Sequence, residues 1–227
     1  MILRMIAGVA AAWPRQMECL TSWNYPILIT NETPILPAYQ RAHDQVRGPD
    51  VIEGYVHDDL LVQDPTWHDR VLHEFDDPAV GVVGFGGARG HGYSDMYQKP
   101  FYYGNVGRWD FMSNMRDAED HGRRFTGSCD VATFDSFAMF ARSSIIDAAG
   151  GWPVTSPITY WLREFWLTCS ARRQGFRCRF VGVAVDHIVI QRPEVNVRSY
   201  VLNSDSLAEH RWIYDNFKDV LPFEASV

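Results

Sequence analysis

No stretch of this sequence approaches the length of a transmembrane helix, so a membrane-spanning protein is not expected. No run of Lys or Arg marks a nucleic-acid-binding stripe, and the formal charge is −7. A polyanionic partner would therefore need a local basic or metal site. The four cysteines, Cys19, Cys129, Cys169 and Cys178, show no C-x-x-C spacing, which excludes the common zinc and redox motifs. They read as small core residues in a reducing compartment, and a cytoplasmic location is the expectation. Internal repeats and low-complexity segments are also missing. The glycines at 84, 86, 87, 90 and 92 form neither a Walker loop nor a G-x-G-x-x-G fingerprint, and they read instead as a turn. The opening "MILRMIAGVAAAW" has the Arg and short apolar run of a signal peptide, but it also reads as a first buried strand, which is preferred here.

What is present suits one packed domain. The chain has 227 residues, 46% of them hydrophobic and 14% aromatic, enough for a sizeable core. Strand-like and helix-like stretches alternate, which predicts an α/β architecture with a largely parallel sheet. "ILRMIA", "YPILIT", "DVIEGYV" and "AVGVVGF" read as its first four strands. Helices are expected through "PRQMECLTSW", from Thr33-Pro34 to about Val46, and after Asp64-Pro65. From about Gly90 to Gly127 the periodicity fails, and many aromatics, Trp109 among them, mix with Gly and charges. That segment is expected to cover a substrate, with a self-packed Ω-loop as the alternative. Ser156-Pro157 is expected to open a helix whose apolar stripe runs Ile158, Trp161, Leu162, Phe165, Trp166, Cys169. "FVGVAV" reads as one late strand ending at Asp186-His187, and "SLAE" as the capping box of a terminal helix.

Ligands of open parallel sheets bind at the carboxyl ends of strands. Asn31-Glu32, Asp58-Asp59 and Asp186-His187 fall at such places. Adjacent carboxylates repel unless a positive charge lies beside them, so Asp58-Asp59 with a histidine suits a divalent metal such as Mn²⁺. The plain alternative is an N-cap and solvated turn, although Asp64 already fills the cap position of the next helix. Glu164 lies off the apolar stripe, and none of its helical neighbours Tyr160, Trp161, Leu167 and Thr168 is a cation, so a surface ion pair lacks a partner. A solvated glutamate remains the alternative. Trp152 could stack on a sugar ring or fill the core. Arg172, Arg173, Arg177 and Arg179 could form a solvated face or bind a diphosphate.

The stretch "AYQRAHDQVRGPDVIEGYVHDD" resembles the part of GT-A glycosyltransferases, especially the family-2 type, that ends in a D-x-D-like metal motif. "VGVVGFGGAR", "FDSFAMFARSSIIDAAGGWP", "YWLREFWLTCSARRQGFRCRFV" and "VAVDHIVI" resemble later segments of that family in the same order. The resemblance covers roughly residues 1–191. It implies a GT-A type three-layer α/β/α sandwich with a mostly parallel, mixed central sheet. Residues 1–195 would form the catalytic domain, and 196–227 a helical extension packed on it.

The resemblance further implies that Asp59 binds a divalent metal, Mn²⁺ or Mg²⁺, with His187 as a further metal or diphosphate contact. Asp58 would lie against the ribose or the metal's water shell. Thr30, Asn31 and Glu32 would border the nucleotide, and Asp135 the donor sugar. Glu164 would be the general base, and Trp152 and Trp109 would contact sugar or acceptor. Ser136 and Trp166 depart from the family pattern, at positions that often carry a glycine and a second acid. The expected partner is a nucleotide-sugar donor, with UDP preferred, an unidentified glycan or protein acceptor, no nucleic acid, and a homodimer as a candidate state. The expected reaction is transfer to an acceptor hydroxyl with inversion. The alternatives are a non-catalytic nucleotide-sugar or glycan-binding module, and a metal-dependent nucleotidyltransferase or hydrolase.

Overall fold

Strands β1 (Ile2–Gly8), β2 (Ile27–Thr30), β3 (Val51–His57), β5 (Val80–Gly84), β9 (Ser128–Val131), β11 (Ala138–Arg142) and β12 (Arg177–Val181) form the central sheet, in the order β2-β1-β3-β11-β5-β12-β9. Pairings β1–β2, β1–β3 and β5–β12 are parallel, and β11 runs against both β3 and β5. Since β9 opposes β12, β11 and β9 are the strands that run against the rest, which makes the sheet mixed but mostly parallel. The computed structural model describes residues 1–9, 14–30, 34–92, 108–116, 122–158, 162–188, 204–221 and 223–226.

Strand alternation builds a core on each face of this sheet. Leu3, Met5 and Ala7 of β1 and Ala138 and Phe140 of β11 join one apolar cluster, whereas Ile6, Met139 and Ala141 join the other. Helices α1 (Gln16–Ser22) and α3 (Trp67–Glu74) cover the first face through Leu20 and Val71, with Trp23 and Phe75 just beyond their ends. Helices α2 (Ile35–Val46), α4 (Ser143–Ala148), α5 (Arg163–Arg173) and α6 (Ser204–Phe217) cover the second. The result is a three-layer α/β/α sandwich. Ile213, Phe217 and Leu221 bring the C-terminal segment into the same cluster as Phe165 of α5. A smaller sheet joins β10 (Thr133–Phe134), β6 (Gly86–His91), β7 (Arg108–Ser113) and β8 (Arg123–Arg124), with β14 (Phe223–Glu224) paired to β6. Strands β4 (Leu60–Val62) and β13 (Val185–His187) form a two-stranded ribbon. Among the described residues no helix is long and apolar enough to cross a membrane.

Several local expectations need correction. The glycine-rich "GFGGARGHG" is largely strand β6 rather than a turn. A Cβ on Gly86 would sit 2.6 Å from the Phe137 ring, and one on Gly87 3.0 Å from Val131. These glycines make room for a second layer of side chains. Part of the aperiodic 90–127 segment is also sheet, in β7 and β8, while residues 93–107 and 117–121 lie outside the described residues. The single late strand is in fact two, broken at Gly182, where a Cβ would lie 2.4 Å from the Phe125 carbonyl oxygen. Finally, α5 begins at Arg163 rather than beside Ser156-Pro157, and Leu162 ahead of it takes a left-handed φ of 65°. It is no surface helix with one apolar stripe: every residue from Arg163 to Ala171 is buried. The sheet lies on one side of it, and α6 packs against it as well.

Candidate metal centre

The parallel strands β1, β2 and β3 finish in register, with Gly8 opposite both Thr30 and His57. This common carboxyl edge is where an open sheet presents ligand-binding groups. Beyond His57 the chain turns through Asp58 and Asp59 into β4, which pairs with β13 so that Leu60 faces His187. The amide of Ile188 donates to the Asp59 carbonyl at 2.8 Å, closing the turn onto the second strand. Two segments far apart in sequence thus deliver His57, Asp59 and His187 to one place. Among the described residues these three form the one group whose ligand atoms converge as a metal site would require, all within 4.8 Å of one another.

Asp59 Oδ1 is buried, 3.2 Å from His187 Nε2 and 3.7 Å from His57 Nδ1, yet it accepts no well-aligned hydrogen bond from a described residue. A carboxylate oxygen facing imidazole nitrogens in this way fits a divalent cation, since oxygen and imidazole ligands together suit Mn²⁺ and its neighbours. Burial works against the charged Asp59 carboxylate, but the His187 imidazole outweighs it and holds its pKa below the usual carboxylate value. Burial likewise disfavours charged His187, yet pairing with Asp59 raises its pKa. His57 behaves oppositely. Burial, followed by the neighbouring Arg163 charge, pushes its pKa down to about 3, so the ring is neutral.

Arg163, the first residue of α5 and only 1% exposed, points Nη2 at His57 Nε2 from 2.7 Å and sets its guanidinium over the Tyr39 ring. A cation therefore borders the acidic turn, contributed by a helix whose next residue is Glu164. Glu164 is 5% exposed, buried rather than on a solvated face. Asp135 follows β10, anchored by its amide to the Gly86 carbonyl, and its charge favours the protonated forms of both His57 and His187. The structure therefore brings Asp59, His187, Asp135 and the start of α5 to the same edge.

Other candidates sit differently. Asp58 accepts from Gln16 Nε2 at 2.5 Å, which ties the turn to α1. Asp186 is held by both arms of Arg116 at 2.9 Å and by Gln63 at 2.6 Å, a structural ion pair next to His187. Thr30 ends β2 at this edge, while Asn31 and Glu32 lie outside the described residues. Trp109 belongs to β7 opposite Gly90. Trp152 is 3% exposed, donates its indole N–H to the Tyr55 hydroxyl at 2.9 Å and packs on Tyr39, Tyr55 and Trp166. Of its two readings, this is the position of a core tryptophan. The four arginines also have internal partners: Arg173 with Asp219, Arg177 with Asp77 and Asp130, Arg179 with Glu74 and Asp130, and Arg172 with the Ala132 carbonyl. The sequence reading passed over His57 and Arg163. The first was legible in the "HDD" triplet at a strand end, whereas nothing in the local pattern marked the second.

No protein-family model and no curated protein matches this sequence. Solved structures do. The mannosyltransferase PcManGT from Pyrobaculum calidifontis, in complex with GDP-Man and Mn²⁺, superposes with a TM-score of 0.55 at 12% identity, covering 94% of this chain and 64% of that one. GalNAc-T7 with UDP, GalNAc and Mn²⁺ superposes with a TM-score of 0.60 at 12% identity, covering 96% of this chain and 50% of that one. This chain thus spans between half and two thirds of the length of these two. At such identity the likeness establishes architecture, and the chain has the GT-A fold of glycosyltransferases.

Proposed function

We propose that this chain is a divalent-metal-dependent glycosyltransferase that moves a sugar from a nucleotide-diphosphate donor to an acceptor hydroxyl. The observation that carries the reading is the meeting of Asp59 and His187, from the turn after β3 and from β13, at the carboxyl edge of a GT-A sheet. The two similar structures were solved with a nucleotide sugar or its components and Mn²⁺, which supports the same ligand class here.

In this reading Asp59 and His187 hold the metal. Bound there, it acts as a Lewis acid on the diphosphate leaving group, so that no proton donor is needed for departure. Thr30, with Asn31 and Glu32 after it, borders the base or ribose, and Asp58, tied to Gln16, lies against the ribose or the metal's water shell. Asp135 lies toward the donor sugar and the acceptor hydroxyls. Glu164, in the first turn of α5, takes the proton from the attacking hydroxyl as general base, and a single direct displacement by that hydroxyl inverts the anomeric centre. UDP is the preferred nucleotide.

Thermal unfolding with UDP, GDP and CDP, each with and without Mn²⁺, tests the reading. A ligand at a hundred times its dissociation constant adds about 2.7 kcal/mol of stability. The expected result is a manganese-dependent shift with one nucleotide, lost in Asp59→Ala. No shift with any nucleotide would remove the donor-binding claim. A shift without diphosphate release for any acceptor would leave a binding module.

A further inference from the structure

The His57 ring has different neighbours at its two nitrogens, and together they settle its chemistry. Arg163 Nη2 lies 2.7 Å from Nε2, while Nδ1 faces Asp59 Oδ1 at 3.7 Å. A guanidinium has five N–H donors and no acceptor, so Nε2 must be the accepting nitrogen of that contact. A neutral imidazole carries one proton, and here it must sit on Nδ1. A metal ligand needs a free lone pair, and Nδ1 does not offer one in this tautomer. Coordination through Nδ1 would move the proton to Nε2 and set one N–H against another at 2.7 Å. Arg163 would then lose its contact with His57 while remaining buried.

The geometry points to His57 as an N–H donor aimed into the site rather than a third metal ligand, with Arg163 as the positioning residue that fixes its tautomer. The inference rests on the metal and diphosphate reading of the site. It divides the three converging residues by role: Asp59 and His187 bind the metal, and His57 donates from Nδ1 to an anionic oxygen beside it. In the free protein the Asp59 carboxylate is the oxygen that Nδ1 faces. With ligand bound, a phosphoryl oxygen of the diphosphate takes that place. Two protein ligands leave the remaining coordination positions to water and phosphate oxygens, as hard divalent ions favour.

Pulsed electron paramagnetic resonance on the full chain loaded with Mn²⁺ and inorganic pyrophosphate counts the nitrogens bound to the metal. The expected spectrum shows coupling to one imidazole nitrogen, lost in His187→Gln and kept in His57→Leu. At saturating Mn²⁺, His57→Leu should weaken pyrophosphate about tenfold, as loss of one hydrogen bond to a charged oxygen does. His57→Asn, which returns an N–H near the same point, should recover most of that loss. Two coupled nitrogens in the wild-type protein would overturn the inference while leaving the metal site intact. So would a loss of Mn²⁺ binding in His57→Leu as complete as the loss in His187→Gln, since a residue outside the metal's own ligands costs at most about 10–100-fold. Failure of the wild-type chain to bind Mn²⁺ at all would overturn the proposed function, and this inference with it.

Discussion

His187 Nε2 stands 3.2 Å from Asp59 Oδ1, although the two residues belong to opposite ends of the fold's assembly: one follows β3, the other closes β13. The contact exists because β13 leaves the line of the main sheet and pairs with the short β4 just after the acidic turn. That ribbon, rather than either residue alone, makes the site.

Glu164 offers the sharpest kinetic prediction. Glu164→Gln should reduce sugar transfer by about 10²–10⁴-fold, the usual contribution of a general base. Donor binding, read as the nucleotide-induced thermal shift, should persist. Wild-type transfer rates in this variant would take Glu164 out of the mechanism.

Trp152 separates stability from binding. Trp152→Phe removes the indole N–H that the Tyr55 hydroxyl accepts inside the core. The expected cost is about 1–3 kcal/mol in urea unfolding, the penalty of an unsatisfied buried group. Nucleotide and acceptor affinities should hold. Weaker binding with unchanged stability would restore the sugar-stacking role.

A buried polar chain gives the protein a predictable response to pH. His43 Nδ1 is 2.8 Å from Glu53 Oε1, and Glu53 also accepts from the Tyr55 hydroxyl. Burial pulls the His43 pKa down, but the Glu53 hydrogen bond and charge, with Asp147 behind them, carry it above its ordinary value. A raised folded-state pKa means stability that is complete below the unfolded value of about 6.5 and is lost as pH rises through the folded one. The urea midpoint should therefore decline across that range, and the decline should be smaller in His43→Leu. Breaking the pair that way should also cost about 3–5 kcal/mol. A wild-type midpoint that climbed with alkalinity would show the sign to be wrong.

The paired glycines after α4 should respond unequally. Gly150 and Gly151 both have left-handed φ, 84° and 93°. A Cβ on Gly150 meets nothing within 4 Å, so Gly150→Ala should cost about 1–2 kcal/mol from backbone strain alone. A Cβ on Gly151 would lie 2.5 Å from Gln40 Oε1, the acceptor of the Trp152 amide, so Gly151→Ala should cost more. Equal losses in denaturant unfolding would mean that Gln40 can move aside freely.

The first half of the fold was legible because its signals are local. Alternation in "ILRMIA" and "DVIEGYV", a proline at the start of α2 and the Asp64 turn ahead of α3 all act within a few residues. Asp64 does accept from both the amide and the hydroxyl of Thr66. The paired aspartates were conspicuous because like charges side by side need a reason. The errors fell where distant layers decide. Gly86 and Gly87 look like turn residues until Phe137 and Val131 occupy the space above them. Periodicity placed Glu164 only off the apolar stripe, and packing on more than one side of α5 is what buries it.

The sequence by itself determined the alternating α/β order, the packed core and the acidic turn at a strand's end, since each follows from side-chain character over short spans. Only the tertiary structure decided how His187 reaches Asp59, that Arg163 donates to His57, and that the Asp186 carboxylate belongs to Arg116. Those pairings join residues from different strands, helices and sheets. A residue's type states what it can bond, but the register of β4 on β13 and the buried seat of α5 state what it does bond.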